Sequence, residues 1–182
     1  NSSAKNTNAQ MLAALDAKAA EAKGEFAVAA TTAHKVEAAT KKFYAFVESV
    51  KAEITAGFPA EESGKLPYEA MDKSTIDEVW FAGDGYSPKG NEIISAIETY
   101  KKDLQAALGS EKKYSAILNE VTKKFDLTDV KNKDGVAVKF LDYHFKGFPA
   151  IATLAKLSAW QNDAKKGESD VISAALGKAA VQ

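Results

Sequence analysis

MLAALDAKAAEAKGEFAVAATTAHKVEAATKKFYAFVESVKAEITA, residues Met11 to Ala56, is the stretch whose reading decides the fold. Alternating steps of three and four from Leu12 land on Leu15, Ala19, Ala22, Phe26, Ala29, Ala33, Val36, Thr40, Phe43, Val47, Val50 and Ile54. Thr40 is the one polar residue in that series, and no proline interrupts it. A three-four spacing kept this long marks a helix burying one continuous seam.

The length of that helix is itself informative. A straight helix from Met11 to Ala56 would run roughly 70 Å, whereas a compact chain of 182 residues has a radius of gyration of about 16 Å. The sequence therefore predicts an elongated domain, a bend, or a helix that reaches into a second chain. Gly24 is the weakest point, costing about 1 kcal/mol relative to alanine inside a helix. With Leu12 at heptad position a, Gly24 falls on the outer f position and leaves the seam unbroken. The e and g positions Ala30, Thr32, Ala39, Tyr44 and Phe46 are small or apolar, where a two-stranded coil carries charge. That widens the buried face to more than one neighbour, so the predicted fold is all-α, an elongated helical bundle built on this N-terminal helix.

Composition narrows the function classes. Net charge is −1, and all 24 basic residues are lysine. Without arginine the bidentate grip on phosphates and base edges is missing, which argues against nucleic-acid and nucleotide partners. There is no cysteine, which removes thiol catalysis, disulfide scaffolding and cysteine metal sites together. With 46% hydrophobic and 27% charged residues the chain is ordinary for a soluble domain, and no apolar run is long enough to cross a bilayer. The chain opens on Asn1 and not on methionine, the expectation being a processed or excised piece whose parent carries any membrane anchor.

Along the chain, residues 1–10 are polar and predict a flexible start, followed by a single helical bundle over 11–182. The first helix stops at Ala56-Gly57-Phe58-Pro59, glycine then proline. A charged connector, Ala60 to Asp72, follows. Thr75 to Glu78 reads as a capping box opening a short helical turn with Val79, Trp80 and Phe81. Gly83 to Tyr86 reads as a turn, and Ser87-Pro88 opens a helix that buries Ile93, Ile97, Tyr100, Leu104 and Ala107 and closes at Gly109. Ser110 caps the next helix, with Tyr114, Ile117, Leu118, Val121 and Phe125 inward. A short helix is predicted from Val136 to Lys146, although Val136 to Val138 is also the one strand candidate. The chain breaks at Gly147-Phe148-Pro149, after which a last long helix runs to about Leu176, with Leu154, Leu157, Ala164, Val171 and Ala175 on its inner stripe and polar Gln161 and Glu168 inserted into it.

Tests for chemistry come back empty. His34 falls on the outer face of the first helix, and His144 has neither a second histidine nor a cysteine near it. Gly83, Gly85 and Gly90 do not match a phosphate loop. Asp129 to Gly135 fails as a calcium loop because Val130 and Leu141 fall where ligands are needed. No carboxylate pair or serine elbow stands out, so no catalytic, cofactor-binding or metal residue is assigned and no enzyme is expected. The aromatics Trp80, Phe81, Tyr86, Phe148 and Trp160 read as core plugs, with interface anchoring as the competing reading. Gln161 and Glu168 read either as satisfied core polar groups or as register-setting residues of a homotypic helix contact. Phe26, Ala29, Ala33, Trp160, Gln161 and Glu168 are the candidate interface residues.

Beyond physics, a set of stretches carries a resemblance. These are His144 to Pro149, Leu154, Leu157, Gln161-Asn162-Asp163, Glu168 and Asp170, with Lys42 to Phe46, Glu62 to Pro67, Met71-Asp72-Lys73, Trp80-Phe81 and Gly85-Tyr86 in support. In number and order they resemble the membrane-proximal periplasmic domain of the GldM/PorM family. The resemblance implies a component of the type IX secretion and gliding motor of Bacteroidetes, a molecular motor in protein transport. Such a protein has one transmembrane helix set in a pentameric GldL-type partner, then a periplasmic homodimer that carries motion driven by the proton-motive force to an outer-membrane GldK/GldN-type ring. The helical domain of that family can exchange helices between protomers, which suits a first helix too long for its own globule. The implied place is the periplasm, anchored to the inner membrane. The transmembrane helix and the β domains of the family are missing from the sequence at hand, so none of their residues is assigned. Two other readings are a ligand-sensing helical bundle of a receptor and a helical binder of lipid or partner. The sensor predicts a second membrane helix after Gln182, and the lipid binder a wide apolar face left open.

Overall fold

The computed structural model describes residues 7–22, 24–56, 81–82, 85–86, 88–125, 130–131, 137–138 and 150–177. The fold is all-α. Five helices are described: α1 (Asn8–Glu21), α2 (Glu25–Ala56), α3 (Pro88–Leu108), α4 (Lys112–Lys124) and α5 (Ala150–Leu176).

The predicted single helix is two helices. Thr7 caps α1 reciprocally with Gln10: the Thr7 hydroxyl accepts from the Gln10 amide at 3.2 Å and the Thr7 amide donates to Gln10 Oε1 at 2.9 Å. At the other end Ala22 leaves helical geometry for an extended conformation, and Gly24 follows with φ of 79°. The Gly24 carbonyl then accepts from the Val28 amide at 2.9 Å, the first hydrogen bond of α2. A left-handed residue costs an L-amino acid roughly 1–2 kcal/mol, and glycine escapes it. The chain turns back there instead of running straight, and α1 lies along α2. Met11, Leu12 and Leu15 of α1 share one buried cluster with Ala29, Ala30 and Ala33 of α2 and Ile172, Ala175 and Leu176 of α5.

Elsewhere the apolar spacing maps onto burial closely. Val36, Thr40, Phe43, Val47 and Val50 of α2 are buried, and Ile54 lies outside the described side chains. Ile93, Ile97, Tyr100 and Leu104 are the inner stripe of α3, but Leu108 completes it where Ala107 was predicted. On α4, Tyr114 and Val121 are buried and Ile117 and Leu118 half-buried. Helix α4 starts at Lys112, so Ser110 sits in the preceding turn and is not its cap. Leu157, Gln161, Ala164, Glu168, Val171 and Ala175 of α5 are buried, as its stripe predicts, and Leu154 lies outside the described side chains.

Two short ladders replace predicted helical turns. Phe81–Ala82 (β1) pairs antiparallel with Gly85–Tyr86 (β2), so Phe81 is in a strand and not in a helical turn. Val130–Lys131 (β3) pairs antiparallel with Ala137–Val138 (β4), which overturns the start of the helix predicted from Val136. Its register sets two β-branched residues, Val130 and Val138, at partnered positions, a strand preference that outweighs the helical spacing. The connector 57–80, with its capping box and Trp80, and the segment 139–149, with His144 and Phe148, lie outside the described residues.

The chain divides into two compact units. One takes in α1, α2 to Tyr44, α3 from Thr99, α4, and α5 from Asn162. The other takes in α2 from Ala45, both hairpins, α3 to Glu98, and α5 to Gln161.

Candidate functional site

The six candidate interface residues fall in two places. In the first unit, Ala29 and Ala33 are buried at 3% and 0% exposure in the cluster where α1, α2 and α5 meet. Phe26 is half-buried against the same cluster, with the Lys18 ammonium 5.6 Å from its ring centroid. Alanine at both α2 positions is what lets α1 approach this face closely.

Glu168 is the polar residue of that seat, and 5% exposed. Its Oε1 accepts from Asn8 Nδ2 of α1 at 2.7 Å, and the Ser169 hydroxyl donates to Asn8 Oδ1. Burial pushes the Glu168 carboxyl above the usual range, opposed by the Asn8 hydrogen bond and the Lys165 charge, while the nearby Glu37 charge adds to the rise. On the rim, His34 Nε2 lies 2.8 Å from Asp16 Oδ1 of α1 and His34 Nδ1 lies 3.5 Å from Glu37 Oε1. The Asp16 hydrogen bond raises the imidazole pKa. Sequence reasoning placed His34 on an outer face, which is correct, but could not find its partner, because Asp16 meets it only after the chain reverses.

In the second unit, Trp160 is fully buried and stacks on Phe125, ring centroids 6.1 Å apart and planes 15° apart. Gln161, 2% exposed, is satisfied on both ends of its amide. Its Nε2 donates to Glu48 Oε2 at 2.7 Å and its Oε1 accepts from Lys51 Nζ at 3.0 Å. The Gln161 hydrogen bond and the Lys51 charge together hold the Glu48 carboxyl below its usual range. Both inserted polar residues of α5 are thus partnered by the chain itself.

Gly167 and the groove between α2 and α3 were not legible as pattern. Gly167 sits in the middle of α5, and a Cβ built there would lie 2.9 Å from Val121 Cγ2 and 3.9 Å from Tyr100 Oη. Its signal was only a glycine between two polar stripe positions. Tyr100 is packed on Phe43, centroids 5.1 Å apart, and burial pushes its phenol up to about 12. A groove of about 410 Å³ lies between α2 and α3, floored by Ala38, Ala39, Ala106 and Ala107 and edged by Lys35, Lys42 and Asp103.

Among the described residues no cluster of three histidines, aspartates or glutamates could hold a metal ion. No described helix is long and apolar enough to cross a membrane. Val28 is the exposed large hydrophobic among the described residues. The arrangement holds α1 against α2 and α5 through an apolar cluster, the Asn8–Glu168 and Asp16–His34 contacts and a glycine turn.

Comparison with known families gives a match over residues 1–178 to the family described as GldM N-terminal domain. No curated protein matches the chain.

Proposed function

Since the chain belongs to the GldM N-terminal domain family, matched over residues 1–178, we propose that it is the membrane-proximal periplasmic domain of a type IX secretion and gliding motor subunit. In this reading it is non-enzymatic and transmits motion from an inner-membrane, GldL-type motor partner towards a GldK/GldN-type outer-membrane ring. The observation that carries it is the family match, which spans the same stretches that carry the resemblance in the sequence. The all-α fold and the satisfied polar groups of α5 support a rigid transmitting element.

The same reading includes a homodimer in which helices exchange between protomers. Exchange would reuse Phe26, Ala29, Ala33, Trp160, Gln161 and Glu168, with intrachain contacts becoming interchain ones. The Gly24 turn supplies the hinge: opened, it restores the unbroken heptad seam from Leu12 onwards.

The direct test places this domain in the full-length subunit of a gliding bacterium, in exchange for the resident domain. Secretion and surface motility are expected to persist, and the subunit to co-purify with its inner-membrane motor partner. Stable, folded subunit without secretion, motility or co-purification would reject the reading.

A further inference from the structure

Helix α2 carries a second three-four series besides its buried one. Val28, Thr31, Lys35, Ala38 and Lys42 follow it, and all of them are exposed. Val28, at its start, is 59% exposed. A series kept over four turns, about 21 Å, lies along one side of a helix and makes a seam of the kind that a second helix fills. No helix among the described residues covers this one. Its latter half is one wall of the groove of about 410 Å³ shared with α3, and both walls belong to the first unit. The floor, Ala38 and Ala39 facing Ala106 and Ala107, projects only methyl groups, so an incoming helix axis can settle closer than it could over leucines.

The charges decide what can lie there. Lys35 and Lys42 stand seven residues apart on the α2 edge, two turns or about 10.5 Å, and Asp103 stands on the α3 edge. None of the three has an ion-pair partner among the described residues, whereas His34, Lys51, Lys124 and Lys166 each have one. A copy of α2 laid in register along its own seam would set Lys35 against Lys35 and Lys42 against Lys42, like charges face to face. The seam therefore favours a different helix, of opposite charge.

We propose that the groove between α2 and α3 docks an acidic amphipathic helix of another protein, one that lays small residues on the alanine floor and sets carboxylates seven residues apart against Lys35 and Lys42. A lysine on the far flank of that helix would meet Asp103. The methyl floor supplies attraction with little selectivity, since burial of apolar surface is non-directional. The two lysines supply the register: sliding the helix by one turn, about 5.4 Å, takes both carboxylates out of reach of their partners. This site uses neither α1 nor the exchange of helices between protomers.

The probe is a synthetic peptide of three heptads, held helical by a hydrocarbon cross-link on its outer face, with glutamate at each a position, alanine at each d and a fluorophore at one end. Its counterpart carries lysine at each a. Fluorescence anisotropy against the full 182-residue chain measures both. The glutamate peptide should bind about tenfold more tightly, as two ion pairs made and two repulsions avoided imply. The double variant Lys35→Glu, Lys42→Glu should invert the order, and with both positions exposed its thermal unfolding should match the parent's. Ala38→Trp, which fills the groove, should weaken both peptides. Absence of saturable binding by the glutamate peptide, equal affinity of the two peptides, or an order unchanged by the charge reversal would overturn the proposal. So would a dimeric mass on light scattering that Ala38→Trp alone returns to monomer, which would give the groove to a second copy.

Discussion

Gly167 of α5 and Val121 of α4 approach so closely that a Cβ on the glycine would lie 2.9 Å from Val121 Cγ2. The neighbour is a branched side chain in a buried position, 4% exposed, with little freedom to withdraw. Gly167→Ala is therefore expected to destabilise the domain by about 1–3 kcal/mol through overpacking, even though alanine is the better helix former. Val121→Ala in the same chain should recover part of the loss. Chemical denaturation of the two single variants and the double variant measures this, and additive losses would show that the two residues do not share space.

Gly24→Ala tests the reversal between α1 and α2. In the docked state alanine takes on a left-handed strain of roughly 1–2 kcal/mol. In an open state, with one helix continuing through residue 24, the same substitution is favourable by about 1 kcal/mol. The variant should therefore lose stability as a monomer and shift towards dimer on light scattering at raised concentration. An unchanged melting midpoint with an unchanged mass would show that the turn does not depend on glycine.

Ala33 has no exposed surface where α1, α2 and α5 converge. Ala33→Lys puts an ammonium into that seat, and several kcal/mol of stability should go with it. Ala13→Lys, on the exposed side of α1, is the control and should stay within about 0.5 kcal/mol. Circular dichroism during thermal unfolding separates the two, and equal behaviour would mean the buried face is misassigned.

Alkali should act through two phenols. Burial lifts both Tyr100 and Tyr114 to about 12, from 10.0 in the unfolded chain. The folded state keeps these protons while the unfolded state gives them up. Their contribution is thus complete below pH 10 and is lost as the pH rises through about 12. In an absorbance titration of the six tyrosines, two are expected to ionise late and together with unfolding. Six phenols titrating as one group near 10 in folded protein would contradict their burial.

Much of this fold could be read from spacing. Helix α2 ends at Ala56, α3 opens at Pro88 and α5 closes at Leu176, each where capping and glycine signals put the boundary. From Leu157 onwards the inner stripe of α5 is buried, its two polar members included. These features are local, since capping groups and three-four periodicity act within a few turns of one helix. Phe81 and Ala137 went the other way: each lies in a strand of two residues, where pairing with a partner across a turn outweighs a weak helical pattern.

By itself the sequence determined that the chain is helical, which face of each long helix is buried and which family it belongs to. Only the tertiary structure decided that the heptads from Leu12 to Ile54 are divided at Gly24 and folded back. A heptad seam is equally satisfied by a straight helix and by a hairpin, because both bury the same residues. The choice rests on distant surfaces, Ile172, Ala175 and Leu176 of α5, which give α1 a seat that only the turned chain can reach. The same reversal created the Asp16 to His34 contact and the Asn8 to Glu168 hydrogen bond, between residues that no local pattern could join.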